Sequence, residues 1–371
     1  MRVVSVYDTV AEVMHTLPEG ERVFGIAAFK NDIYVLRWKG REHVEVYDAT
    51  TFALQRCLDV PNLRGYTNMA LCPRHLCLYI GDNVGGCVHR VELKGTFTQW
   101  PVGGIYIPAC LSVNAKSNVL VTCKAARRVK EFSTHGVSLR EISLPDISNP
   151  WHAIQVAGSD DLIVCHGEQS SDTHRVCKVT QDGRIIQSVG ARPGSRDGQF
   201  KVPCHLAVDN NNQFIVADQN NQRVTLLSSA LNHVRYVVSR DQLKWRPNAV
   251  CLDMEQQRMY VADSEVVVEP LPVYSERHTL ERVLCGRVLV LSIHQRQQQD
   301  TEPPQNPETS PSARVESSSF NELLGVLLSS SSSSSPSPSV SSLSSSSSES
   351  NLNVAAAKPS REIGLLNLEY W

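Results

Sequence analysis

A segment of this 371-residue chain recurs about every 43 residues across roughly its first 290 positions. Its clearest copy runs Pro203-Cys204-His205-Leu206-Ala207-Val208-Asp209, then Phe214-Ile215-Val216-Ala217-Asp218, then Gln222-Arg223-Val224-Thr225-Leu226. The next copy has Pro247-Asn248-Ala249-Val250-Cys251-Leu252-Asp253, Met259-Tyr260-Val261-Ala262-Asp263 and Arg287-Val288-Leu289-Val290. A fixed period of this size, built from short runs of Val, Ile, Leu and Tyr between Asp/Asn/Gly turns, implies stacked four-stranded units, and hence the blades of a β-propeller. Equivalent starts fall at Val23, Tyr66, Pro108, Pro150, Pro203 and Pro247, with steps of 43, 42, 42, 53 and 44. An Arg-Val pair opening a later strand marks five copies at Arg90, Arg128, Arg175, Arg223 and Arg287, and His43-Val44 takes its place in the first. The expectation is an all-β, six-bladed propeller over residues 1–294, with a degenerate seventh blade as the alternative.

An open ring would leave an unpaired edge strand. Val4-Ser5-Val6-Tyr7-Asp8 mirrors Val44-Glu45-Val46-Tyr47-Asp48, and Ala11 to Leu17 reads as a following outer strand. The N-terminus is therefore expected to complete the blade that begins at Pro247. Arg287 to Ser292 also reads as a third strand of that blade, so one of these strands is surplus or packs elsewhere.

Gly198-Gln199-Phe200-Lys201-Val202-Pro203, Ala207-Val208-Asp209, Val216-Ala217-Asp218 and Asn221-Gln222-Arg223-Val224 resemble the NHL repeat, and the copy from Pro247 to Asp263 is nearly as good. The resemblance covers about residues 1 to 292 and implies a six-bladed ring. Proteins of the tripartite-motif type place a RING finger, B-box and coiled coil ahead of such a propeller; this sequence contains none of them. The resemblance further implies a binding platform, with substrate recognition in a ubiquitin-ligase pathway or single-stranded RNA binding as known uses.

Charge gives little direction. The propeller is near neutral at +2 over residues 1–294, and the remainder carries −4. That balance argues against DNA or an anionic membrane as partner. The 11 Cys are scattered with no Cys-x-x-Cys pair, and no run reaches the ~18 apolar residues of a membrane span, so a reducing, cytoplasmic setting is expected. From about Gln295 the prolines at 303, 304, 307 and 311 and the serine tracts Ser329–Ser335 and Ser344–Ser348 predict a disordered tail over 295–371.

Two groups of residues invite a functional reading. Two positions after each blade start, the inner strands place Gly25, Asn68, Cys110, His152, His205 and Ala249 at one level of the central channel. Cys110, His152 and His205 there offer the N and S donors of a zinc site, and the resemblance to NHL-type propellers adds a metal-dependent lyase or hydrolase as a third expectation; hydrogen-bonded channel packing is the competing expectation, and no cofactor is predicted. The recurrent Asp82, Asp218 and Asp263 end second strands before turns, where Asp accepts backbone N–H groups, and repetition argues for scaffold.

Length variation concentrates between the second and third strands, where the offset from blade start to marker rises from 20 to 40 in the last blade, and in the linker Gly190 to Gln199. Both connection types fall on one face of a propeller, and insertions of this kind map to binding surfaces. That face is predicted to collect Arg37, Trp38, Lys39 and Arg41, then Lys124 and Arg127, then Arg192 and Arg196, and finally Arg240, Lys244, Trp245 and Arg246. A non-enzymatic platform for a protein partner is the leading expectation; basic side chains with interleaved aromatics make single-stranded RNA the alternative.

Overall fold

The fold is seen in a computed structural model that describes residues 11–37, 43–65, 67–104, 106–270 and 280–293. Trp38, Lys39, Arg41, the Val4–Asp8 segment and the Ser/Pro-rich tail lie outside the described residues. Six four-stranded antiparallel sheets are present, each built from consecutive strands except the last. Blade two comprises Met69–Cys72, Cys77–Asp82, Cys87–Glu92 and Phe97–Pro101; blade five comprises Pro203–Val208, Phe214–Asp218, Arg223–Leu227 and His233–Val238.

Closure is made by the N-terminus. The last blade runs from Arg246–Asp253 through Arg258–Pro270 and Leu280–Ser292, and its fourth strand is Glu12–Glu21. Glu12 pairs with Ser292 and Glu21 with Cys285, so the Arg287–Ser292 segment is the third strand and the residues after Ala11 form the fourth. Ala11 further ties the chain to blade five, its N–H donating to the Val237 carbonyl at 2.9 Å and its carbonyl accepting from Gln242 Nε2 at 2.7 Å.

The core is distributed around the ring. Six buried apolar clusters occur, one between each pair of neighbouring blades; Tyr34, Leu36, Leu78 and Ile80 sit in the one that joins blades one and two. Second strands touch a neighbour on both faces, which is why Val119–Cys123 is buried throughout and reads as an unbroken apolar run. Fourth strands lie at the rim, and Leu54–Asp59 is exposed at all but one position.

The pairing register fixes which connections share a face. Pro203 lies opposite Asp218, and Asp218 opposite Arg223, so the linker entering a blade and the turn between its second and third strands meet at one end. The long insertion of the last blade is a continuation of that end. Its second and third strands extend as a paired hairpin out to Pro270 opposite Leu280.

One marker needs correction. In blade two, Asp82 pairs with Cys87, the register of Asp218 with Arg223 and of Asp263 with Arg287. Arg90 stands three residues further on, opposite Tyr79, and bonds Glu92 at 2.8 Å. The arginine of the repeat is replaced in this blade by a cysteine.

Candidate functional site

The inner strands have no lateral backbone ladder between blades, and side chains join them instead. His152 Nε2 donates to the Leu111 carbonyl at 3.0 Å, and His152 Nδ1 accepts from the Leu206 N–H at 3.0 Å, linking blades three, four and five. Ser112 Oγ donates to the Ala153 carbonyl at 2.7 Å. His205 Nδ1 lies 3.4 Å from the Val250 N–H, and its Nε2 lies 2.7 Å from the Asn68 amide on the opposite side of the ring. With Nδ1 accepting, Nε2 carries the proton, so Asn68 satisfies it by turning Oδ1 toward the ring; in the opposite amide orientation Oδ1 is buried without a partner. Gly25 is needed in the same layer, because a Cβ there would come within 2.7 Å of Met69.

The structure thus brings together the residues that the ring arithmetic selected. Ligating atoms of Cys110, His152 and His205 all lie within 4.8 Å of one another, and the two imidazoles are 4.3 Å apart at their centroids. Burial lowers the pKa of His152 to about 4 and that of His205 well below its ordinary value, and it holds the Cys110 thiol well above its own. Every group is therefore neutral near pH 7. Both nitrogens of His152 are occupied by backbone partners, so this ring offers no lone pair to a metal or a substrate without breaking two links between blades. The geometry is that of a hydrogen-bonded plug that closes the channel.

On the loop face the predicted cations separate into two groups. Arg37 is only 4% exposed and is spent on structure: Nε donates to Glu45 at 2.9 Å, and its other nitrogens donate to the carbonyls of Pro18, Glu21 and Gly286. Lys124 pairs with Glu168 and sits 3.9 Å over the Trp151 ring. Lys244 pairs with Glu19 at 2.7 Å, and Arg246 approaches Glu265 at 3.9 Å. Trp245 is buried, with its ring under Lys244. By contrast Arg127, Arg192, Arg196 and Arg240 are exposed, and none has a carboxylate partner among the described residues. Asp172, Asp197 and Asp241 are exposed beside them.

This end of the ring is held rigidly from below. In blade five, Arg223 Nε bonds Asp218 at 2.8 Å while its other nitrogens donate to Ser195 and Gln199 of the long linker. Asp218 also accepts the Lys201 N–H, and Asp263 accepts those of Lys244 and Trp245. The repeated Asp and Arg thus anchor the loops, and the loops carry the variable residues. Sequence reasoning missed two exposed apolar side chains on the same end, Val84 in the blade-two turn at 68% exposure and Ile107 in the following linker at 48%.

No protein-family model and no curated protein sequence matches the chain. Solved structures do resemble it. A streptogramin B lyase aligns with a TM-score of 0.51 and 11% identity, over 75% of this chain and 99% of the other. A chain of a nidogen/laminin complex aligns with a TM-score of 0.51 and 12% identity, over 62% and 84% respectively. At TM-score 0.49, virginiamycin B lyase from Staphylococcus aureus is 10% identical over 73% of this chain and 98% of the other. The two likenesses at TM-score 0.51 agree with the propeller fold of the six sheets. The same fold serves a lyase and a chain of a protein complex, so architecture alone does not decide between catalysis and binding.

Proposed function

We propose that the chain is a non-enzymatic binding platform that presents the loop face of its propeller to a protein partner. The observation that carries this reading is the composition of the exposed surface there. Arg127, Arg192, Arg196 and Arg240 stand free of carboxylate partners among the described residues, interspersed with Asp172, Asp197 and Asp241, and the apolar Val84 and Ile107 share that end of the ring. Arginine and apolar side chains set among mixed charge suit a complementary protein surface, whereas a polyanion requires an excess of one sign. Stacking of bases has little support, because Trp245 is buried and Trp151 is covered by Lys124. The finer reading, that the partner is a substrate in a ubiquitin-ligase pathway, has only the sequence resemblance behind it.

Reversing Arg192, Arg196 and Arg240 to Glu in the full chain is expected to reduce quantitative affinity capture of protein partners at least tenfold, since interface arginines contribute about 1–2 kcal/mol each. The melting temperature should stay unchanged, because these side chains bear no part of the core. Capture that persists undiminished would overturn the assignment of this face. A single-stranded RNA pool that shifts with the parent protein, and fails to shift with the triple variant, would replace the protein partner by RNA.

A further inference from the structure

Blade two departs from the repeat at one place. Where Arg223 and Arg287 supply the positive charge for Asp218 and Asp263, the register gives Asp82 a cysteine. His89 follows two residues later on the same side of the strand, which brings its ring to the same carboxylate. Cys87 Sγ lies 3.4 Å from His89 Nε2, His89 Nε2 lies 3.3 Å from Asp82 Oδ2, and Sγ lies 4.0 Å from that oxygen. Around a tetrahedral zinc ion with Zn–S of about 2.3 Å and Zn–N and Zn–O of about 2.0 Å, ligand atoms stand about 3.3–3.6 Å apart. Two of the three separations fall in that range and the third needs a small closure.

We propose that Asp82, Cys87 and His89 form a transition-metal site, suited to Zn²⁺, in which the ion supplies the positive charge that an arginine supplies in blades five and six.

The hydrogen bonding distinguishes this cluster from the channel. His152 has both ring nitrogens bound to backbone, whereas among the described residues His89 Nε2 meets only Cys87 and Asp82, and His89 Nδ1 is buried without a partner. The backbone pre-positions Asp82: Arg64 N–H donates to Oδ2, and the N–H groups of Gly65, Val84 and Gly85 donate to Oδ1. Cys and Asp share one imidazole nitrogen, so the trio cannot relay a proton from thiol through ring to carboxylate, and three donors converge on one point instead. Cys87 is partly exposed while Asp82 and His89 are buried, which leaves entry from the loop face. On binding, the Cys87 thiol proton passes to solvent, and thiolate plus carboxylate balance a divalent ion. Three protein ligands leave a fourth position for water.

The test uses the full chain, stripped with a chelator and titrated with Co²⁺. A thiolate-to-cobalt band in the near ultraviolet, with tetrahedral d–d bands, should saturate at about one ion per chain and be displaced by Zn²⁺. Cys87→Ser and His89→Gln should abolish it, and Cys110→Ser should leave it intact. Zinc at a hundredfold excess over Kd should raise the melting temperature of the parent protein by about 5 °C and leave that of Cys87→Ser unmoved. Cys87→Ser is a near-isosteric change at a partly exposed position, and its metal-free melting temperature shows directly whether it folds. Absence of the band in the parent protein, its survival in Cys87→Ser, or its loss in Cys110→Ser with retention in Cys87→Ser would overturn the proposal.

Discussion

Acidification from pH 6.5 to 4 is expected to cost the fold several kcal/mol. Burial lowers the pKa of His152 and of His166 to about 4, and that of His205 in the same direction. The unfolded chain takes up these protons near pH 6.5, whereas the folded chain refuses them until about pH 4. The unfolded state therefore binds more protons throughout that window, so stability is complete above it and falls as the pH drops through it. A displacement from 6.5 to about 4 is worth about 3 kcal/mol for each ring, against a total stability of about 5–15 kcal/mol for a typical domain. In contact with the plug the Asn68 amide is neutral, and burial keeps the Cys110 and Cys165 thiols protonated.

Burial raises the Asp218 carboxyl to about 6, so the folded chain takes up that proton first and offsets part of the histidine loss, whereas Glu131 acts in a different window. Glu131 is held below its ordinary value despite burial, by Asn118, Arg140 and Asn114, so its contribution is lost only as the pH falls below about 4.5. Denaturant midpoints measured from pH 8 to 4 should therefore decline first between 6.5 and 4.5. His152→Gln should flatten that decline by about one proton, since an amide can accept from the Leu206 N–H and donate to the Leu111 carbonyl as the ring does. A midpoint independent of pH down to 4.5 would show that these rings are solvated and that the channel is open.

How far the sequence carried depended on whether a residue acts within the repeat or across it. The period gave the blade count, and its arithmetic put Asn68, Cys110, His152 and His205 at one level of the channel, where they meet. It could not show that the partners of His152 are backbone groups of two other blades, because those contacts link residues 41 and 54 positions away. Arg37 illustrates the opposite error. Beside Trp38, Lys39 and Arg41 it reads as a loop cation, yet it pairs with the blade start Val23 as Asp218 does with Pro203, which makes it the end of a second strand. The blade-two cluster did leave a trace: five residues after Asp218 stands Arg223, and five after Asp82 stands Cys87. The trace was masked by Arg90, whose following valine imitates the marker. Carboxylates such as Glu19 and Glu168 neutralise loop cations from distant segments, and no local pattern announces that pairing.

Replacing Arg37 by Met is expected to destabilise the propeller by about 3–5 kcal/mol, the cost of removing one partner of a buried ion pair. Glu45 would lose the Arg37 guanidinium, while the Tyr47 hydroxyl would still donate to it at 2.8 Å. The carbonyls of Pro18, Glu21 and Gly286 would lose their donors as well. Those three carbonyls belong to the closing strand and to the strand it pairs with, while Arg37 itself belongs to blade one. The side chain therefore spans the seam at which the two ends of the ring meet. For a domain of this size the loss corresponds to a melting temperature lower by roughly 6–15 °C. Hydrogen exchange should locate the damage, with protection lost over Glu12–Glu21 before the second strands of blades two to five. Adding Glu45→Met should recover part of the loss, because it removes the buried carboxylate that Arg37 had paired, but not the part owed to the carbonyls. Arg127→Met, on an exposed turn, should change stability by less than about 0.5 kcal/mol. If Arg37→Met behaved like Arg127→Met, the closing strand would be held by its pairing with Leu280–Ser292 alone, and the guanidinium would be a passenger in the seam.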